Sequence, residues 1–454
     1  MKQNFYQLLI NTYSNKEDYK ISTFYKDDLK IDVIFIQGMT DLKFFISYLY
    51  DFINSDNIAS LHTVIPSFCS PINLHSTDNT SYLLSLGNLI LIVSHHSKIY
   101  FYHLPLNILP KRTPSDSHLD PSNLFQSRDG LIEDAKDNLL LIKKRIKSPN
   151  LNIKRFNLGT NTLTDVYMLY LNNYQNEPYI KEIEEKLLLY HKKDVTSINN
   201  ISRLFSKNSL VPLTNASGNT EYLVESINKG KVVLIVDGNC VGLILPALFM
   251  NFTNTKDESD SPKYFSLFKR ILVSVCIFFS IFFLGGFVAV TNYHSNILSL
   301  RILALIKLTE TGTILPMFFE ICVILLCFEL YNLAVSKSPL GYVQNIVVLF
   351  GGLIIGQNVV SSGIVGPFVL LTSSLCYIAG YSVSNNPRFL VSISIFRFMV
   401  LFGSFCFGLL GFFITSIFIL CYLYNQKSVG VPYLEPFIPL KIKEALKYYS
   451  PEVK

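Results

Sequence analysis

Two hydrophobic patterns divide the chain. Up to about Ser266, apolar residues form short alternating or helical stripes between Gly, Asn and Pro. Beyond it they form long runs over 271–290, 314–335, 343–360, 364–383 and 389–424. A run of about 20 apolar residues crosses the hydrocarbon core as a helix. A helix also satisfies its own backbone there, which lipid cannot do. The pattern predicts an α/β cytoplasmic N-terminal region of two small α/β units, then an α-helical polytopic membrane domain with four to five apolar segments. The expected boundaries are a first α/β unit over 1–105, a linker over 106–127 and a second α/β unit over 128–255. A linker over 256–269, a transmembrane helical domain over 270–425 and a cytoplasmic tail over 426–454 follow.

Within the first unit, KIDVIFI over 30–36 reads as a strand, Gly38 as its turn, and Asp41 as the cap of a helix to about Phe52. Residues 89–93 and 98–103 read as strands around His95-His96-Ser97. Pro105, Pro110, Pro114 and Pro121 mark the linker. In the second unit, Leu131, Ile132, Ala135, Leu139, Ile142 and Ile146 recur at helical spacing, so a helix is expected over 128–146. Lys143-Lys144-Arg145 suits its C-terminal end. Strands over 151–158 and 165–171, a helix over 177–191, and strands over 231–236 and 240–245 complete the unit. Asp237-Gly238 between the last two is a hairpin signal.

Charge adds orientation. The net charge is +6 with 16% charged residues, and nearly all acids precede Ser261. So small a surplus, spread through both halves, does not mark a nucleic-acid binder; it fits the positive bias of cytoplasmic loops. Lys263, Lys269 and Arg270 precede the first apolar run, and Lys427, Lys441, Lys443 and Lys447 follow the last. Met1 to Ile10 carries no apolar core long enough for a signal peptide. Both ends are therefore expected in the cytoplasm. Five runs do not give the even number of crossings this requires, so one is expected to be re-entrant, broken or in-plane.

Enzyme chemistry finds little support. The chain has no G-x-x-x-x-G-K-[ST], no strand–G-x-G-x-x-G–helix and no H-E-x-x-H. His95-His96 is the one His pair, and neighbouring strand residues point to opposite faces. The eight cysteines form no C-x-x-C and suggest neither a disulfide framework nor a zinc site. Asp237 after a strand reads more simply as part of a turn than as a catalytic acid. No enzyme activity and no cofactor are expected.

The membrane half offers more. Glu320 and Glu329 lie in the second run, where carboxylates face protein or water. Nine residues along a helix is about half a rotation, so the two cannot share a groove. Either one faces a pore, or both bind backbone groups or Arg. The third run carries Gln344, Asn345, Gly351, Gly352, Gly356, Gln357 and Asn358, with Ser361, Ser362 and Gly363 following. Gly351, Gly352 and Gly356 are most simply packing residues. Gln357, Asn358, Ser361 and Ser362 precede Gly363 and Pro367, where a helix can break, and such backbone needs protein or water beside it. They are candidates for a pore or vestibule. Arg397, inside the fifth run, needs a partner or an aqueous exit. Near Pro387 and Arg388 it is expected on an in-plane amphipathic stretch, which would explain the odd count.

Collinear segments from about Ser127 to Leu440 resemble the A subunit of GerA-type spore germinant receptors, with a looser fit over residues 30–55. In the soluble part these are SRDGLIE from Ser127, NLLLIKKR from Asn138, Pro149-Asn150-Leu151, Gly159 with Thr164-Asp165-Val166, Leu169-Tyr170-Leu171, GKVVLIVDG from Gly230, and Leu245-Pro246. In the membrane part they are Tyr293-His294, Phe328-Glu329-Leu330, Ile354-Ile355-Gly356-Gln357, GIVGP from Gly363, and GVPYL from Gly430. The resemblance implies an oligomeric, ion-conducting subunit in the inner spore membrane. It implies a transporter-like B subunit, a lipoprotein C subunit, further copies of this chain and membrane lipid as partners, with no nucleic acid. From the residues themselves, Glu320, Glu329, Gln357, Asn358, Ser361 and Ser362 are the pore or vestibule candidates, and Gly351, Gly352, Gly356, Gly363, Pro367 and Arg397 the candidates for packing or gating.

The chain departs from that pattern in places. Leu325 stands where the family often has an acid, and Ser361-Ser362 where an acid commonly precedes the glycine. The tail after Pro439 is short. These departures count against cation selection by acidic rings. Asp129-Gly130 is also similar to stage V sporulation protein AF, which makes an ancillary membrane scaffold the second reading. A lone membrane enzyme or transporter fits less well, because catalytic motifs and an inverted repeat are missing.

Overall fold

The computed structural model describes residues 2–14, 19–26, 29–36, 70–71, 88–95 and 98–106 with scattered positions between them. From there it describes 129–172, 177–190, 194–195, 197–206, 209–253, 263–310, 312–337, 361–384, 386–435 and 437. The expected helix over 41–52, the Pro-rich linker, most of the polar segment after Thr253, the third apolar run and the lysines of the tail lie wholly or largely outside the described residues. Two compact units emerge. One comprises residues 1–207, 214–246 and 428–430, the other 208–213, 247–427 and 431–454.

The first unit holds two five-stranded antiparallel sheets. One is ordered β1-β2-β4-β5-β3, from Tyr19–Lys26 (β1), Leu29–Ile36 (β2), Ser70–Pro71 (β3), Asn88–His95 (β4) and Lys98–Pro105 (β5). Alternation puts Ile31, Val33 and Phe35 on one face, and Ile34 and Ile36 on the other with Leu9 and Tyr13 of helix α1 (Lys2–Ser14). Helix α1 and strand β1 stand outside the elements expected from the sequence. The strands around His95 and His96 run longer than expected, and His95 pairs in register with Lys98. Asp32, 1% exposed, accepts from Thr23 Oγ1 at 2.6 Å and Tyr6 OH at 2.7 Å, with Lys30 Nζ at 3.1 Å. The hydrogen bond to Tyr6 is the leading cause that raises the Lys30 ammonium above its ordinary range.

The second sheet is ordered β6-β7-β9-β10-β8, from Leu151–Leu158 (β6), Thr164–Leu171 (β7), Asn215–Ser217 (β8), Val232–Val236 (β9) and Gly242–Leu245 (β10). Val232, Leu234 and Val236 pack toward helices α3 (Glu177–Leu188) and α4 (Ile198–Phe205). Val233 and Ile235 pack toward α2 (Ala135–Arg145) and α5 (Thr220–Asn228). A central strand covered on both faces needs a continuous apolar run, and VVLIV supplies it. The first helix starts later than its stripe suggests, because Asp134 caps it by accepting from Lys136 N at 2.8 Å. Residues 129–130 instead join a bridge from Gly130 to Asn219. Helices α4 and α5 and strand β8 escaped the sequence reading. Asp237 lies in the turn between β9 and β10 and accepts from Ala135 N at 3.1 Å, with Gly238 at φ +77°. Burial and repulsion from Lys229 push the Lys231 ammonium, just before β9, down to about 7.

The second unit begins with the short helix α6 (Phe249–Thr253) and is a helical bundle: α7 (Lys263–Tyr293), α8 (Leu300–Glu310), α9 (Met317–Lys337), α10 (Pro367–Tyr381) and the 39-residue stretch Pro387–Asn425. Three of these, α7, α9 and the last, are long and apolar enough to cross a membrane. The last is not one rod. Gly408 has φ 60° and ψ −138°, a region essentially reserved for glycine, and the chain reverses there. Ser392 Oγ donates to Leu210 O at 2.6 Å, and Leu210 N donates to Tyr422 OH at 2.7 Å. The Phe396 and Tyr422 rings are 6.2 Å apart. In a continuous helix residues 392 and 422 would stand about 45 Å apart. The stretch is therefore an antiparallel pair, 387–407 (α11) and 409–425 (α12).

Helix directions follow from the contacts. Ser280 meets Arg397 and Tyr293 meets Phe405, so α7 and α11 run the same way. Glu320 meets Gly366 and Phe328 meets Tyr377, so α9 and α10 run together. Phe318 stacks on Phe405 while Glu329 meets Ser394, which sets α9 against α11. The starts of α7 and α11 and the end of α12 thus share one end. The fifth apolar run is thus broken at Gly408 into two helices. Arg397 lies at 2% exposure in the middle of α11, not on an in-plane stretch, because polar groups of two neighbouring helices receive it.

Candidate functional site

A polar seam runs through the bundle where apolar packing would be expected. Arg397 Nε donates to Ser280 O at 2.9 Å, and Nη2 donates to Ser280 Oγ at 2.5 Å and Cys376 O at 3.4 Å. The guanidinium sits 5.7 Å from the centre of the Tyr377 ring. Gly380 makes this approach possible, since a Cβ there would lie 2.7 Å from both Nη2 and Ser280 Oγ. One turn before Arg397, Ser394 Oγ donates to Glu329 Oε1 at 2.5 Å. Tyr377 OH donates to Phe328 O at 2.9 Å and lies 3.1 Å from Tyr381 OH. Four helices are thereby joined through one carboxylate and one guanidinium, and intramembrane ionisable groups held this way mark function more often than accident.

The second polar point is the junction of α8, α9 and α10. Glu320, on the first turn of α9, is 1% exposed, and its Oε2 accepts from Gly366 N at 3.0 Å. Gly366 is the N-cap of α10 and Pro367 its first residue, so the carboxylate faces unpaired amides at the positive end of a helix. Gly363, at φ +70°, passes close to the 312–314 turn: a Cβ on it would lie 2.9 Å from Gly312 O, and Ile314 N donates to Gly363 O at 3.1 Å.

Glu320 and Glu329 do not come together, as their half-rotation requires. Each has a hydrogen-bond partner within the bundle. Ser361 and Ser362 are exposed just before the Gly363 turn, and Pro367 opens α10. Gln357, Asn358, Gly351, Gly352 and Gly356 lie outside the described residues. Sequence reasoning missed Ser280, Ser394, Tyr377, Gly380 and Gly366 as members of these sites. Their signal was small or hydroxyl-bearing residues inside apolar runs, which packing alone explains equally well. Among the described residues no group of three or more His, Cys, Asp or Glu could hold a metal ion.

The family described as GerA, Bacillus/Clostridium GerA spore germination protein, matches residues 7–450. Spore germination protein XA of Bacillus anthracis is 30% identical over 367 residues, covering 80% of this chain and 74% of the relative. Spore germination protein KA of Bacillus subtilis is 26% identical over 441 residues, covering 93% and 79%. The N-terminal domain of the A subunit of the Bacillus megaterium spore germinant receptor GerK3 aligns with 54% of this chain and 94% of its own. That alignment has 20% identity and a TM-score of 0.41.

Proposed function

The chain belongs to the GerA family of Bacillus/Clostridium spore germination proteins, and from that premise we propose that it is the A subunit of a nutrient germinant receptor. In this reading several copies surround a water-filled path in the inner spore membrane, with the N-terminal α/β units in the cytoplasm. A transporter-like B subunit senses the germinant, and a lipoprotein C subunit completes the complex. Germinant binding favours the open state only if it is tighter there, and ions then leave the spore. The role requires no catalysis. The supporting observation is the match across both the α/β units and the helical bundle, which a likeness of one unit alone would not supply.

The candidate lining is Gln357, Asn358, Ser361 and Ser362, with Gly351, Gly352, Gly356, Gly363 and Pro367 allowing close approach and a break. Glu320 and Glu329 act from behind that lining, through the hydrogen bonds that engage them, and Arg397 holds the helices in register. Replacing Ser361 or Gln357 with Leu in spores tests the assignment. The expected outcome is altered potassium release with the protein at its normal level in the membrane. Unchanged release at that level removes these residues from the path.

A further inference from the structure

We infer that helix α8 lies flat in the membrane interface, with its outer face against phospholipid and Arg301 on a lipid phosphate. The inference goes beyond the channel reading and does not rest on it. It needs only that α7 and α9 cross a membrane. Thr291 Oγ1 lies 3.3 Å from Met317 Sδ, so the end of α7 and the start of α9 stand at one level. The residues between them are therefore held at a single side of the membrane. A 3-10 turn, Ser295–Ile297, leads from α7 to Leu298. Leu298 and, within α8, Ile306 pack against the cluster that includes Leu284, Val288 and Met317. At the other end, Thr309 O lies 3.3 Å from the point a Cβ would occupy on Gly366. The beginning, middle and end of this stretch thus all touch the bundle. The 11 residues of α8 run for about 16 Å along it rather than out into water.

The side of α8 turned away from the bundle is apolar. Ile306 is 2% exposed, whereas Leu300 is 83% and Leu308 73% exposed, and Leu305 is exposed as well. Leu300 and Leu308 stand two turns apart on one face, with Arg301 and Leu305 one turn apart beside them. Ile297 and Ile314, also exposed, extend the surface past both ends of the helix. An apolar surface this continuous is costly to leave in water. The apolar outside of α9, with Phe319 and Leu326 exposed, begins at the same level, so hydrocarbon is the adjoining medium. Arg301 lies within this face and, among the described residues, has no ion pair or hydrogen bond. Lys307, at the flank, is instead paired with Glu310 at 2.7 Å. A guanidinium among leucines matches the boundary where acyl chains end and phosphates begin: the stem stays with the leucines and the head meets phosphate. A protein partner would have to bring an acid into an otherwise apolar contact, whereas phospholipid supplies both layers at once.

The chain has no tryptophan, so single replacements report their own depth. Leu300→Trp, Leu305→Trp and Leu308→Trp are each made in the full-length protein. The variants are reconstituted in vesicles of phosphatidylcholine and phosphatidylglycerol whose acyl chains carry bromine either near the headgroup or near the bilayer centre. All three are expected to be quenched about twofold more by the shallow bromines, the depth of an interfacial helix. Phe278→Trp, at an exposed position midway along α7, calibrates the deep limit and should show the reverse order. With Leu308→Trp as reporter, Arg301→Glu should cut the shallow quenching by about half by setting a carboxylate against phosphate, and Arg301→Lys should keep it. Absence of quenching at the three leucine positions, while Phe278→Trp is quenched, overturns the inference, because another copy, a partner chain or water then covers the face. Depth that increases steadily from position 300 to 308 also overturns it, since α8 would then dip into the membrane. Equal quenching in Arg301→Glu removes the phosphate contact. Potassium release from spores is scored separately, so a chain that conducts while these positions stay unquenched loses the lipid surface and keeps the channel reading.

Discussion

A guanidinium among apolar helices is stable only while its donors are filled, and Arg397 finds oxygens for them on Ser280 and Cys376. The arrangement leaves no room at Gly380. Gly380→Ala is expected to lower stability by about 1–3 kcal/mol through overpacking, read as a lower Tm of the purified protein in detergent. Outside the bundle, Lys231 gives a pH dependence. Its folded value near 7 lies below the unfolded value of about 10.4. The unfolded chain therefore binds more protons between those limits, and this group makes stability rise with pH across that window. Below pH 7 its penalty is complete. Lys231→Met should raise the urea midpoint most at pH 6, and the gain should shrink steadily toward pH 10. An equal gain at both pH values would show that the ammonium is not the cause.

At the scale of elements, the hairpin of α11 and α12 turns on one backbone conformation. Gly408→Ala would force a Cβ into a region costing about 1–3 kcal/mol and to within 3.0 Å of the Tyr293 ring. A lower Tm and less protein in the membrane are expected, while Phe407→Ala, at an exposed neighbour, should be milder. The helix directions make a sharper claim. In a cysteine-free background, Ser295→Cys and Gln426→Cys should react with an impermeant reagent from opposite sides of the membrane, because they lie at opposite ends of the bundle. Labelling of both from the same side would remove the hairpin. Element types were largely legible in the soluble half: strands expected over 151–158 and 165–171 form over Leu151–Leu158 and Thr164–Leu171. Helix α5 was not legible, because TEYLVESIN is short and is capped by Asn219 only once the fold places it.

For the whole molecule, the two hydrophobic regimes already separate an α/β region from a helical bundle, and the family match extends over both. The proposed receptor role makes its prediction at this scale. Purified with its partners, the chain should appear in several copies around an axis, with residues near Ser361 closest to it, as cryo-electron microscopy would reveal. A single copy per complex would remove the shared path. The candidate site was half legible: Glu320, Glu329 and Arg397 stand out as ionisable residues in apolar runs, but their partners did not.

Taken alone, the order of residues determined the division into two regimes, the strands bounded by turn residues, the membrane-compatible helices and the buried charges that need partners. These follow from local periodicity and from the cost of ions in hydrocarbon, which act on a few residues at a time. Tertiary structure decided that 389–424 folds back at Gly408, that Glu320 meets Gly366 rather than Arg397, and that Ser280 and Cys376 receive the guanidinium. Each depends on close approach between residues dozens or more than a hundred positions apart, and no local pattern encodes which glycine, among several, admits a neighbour.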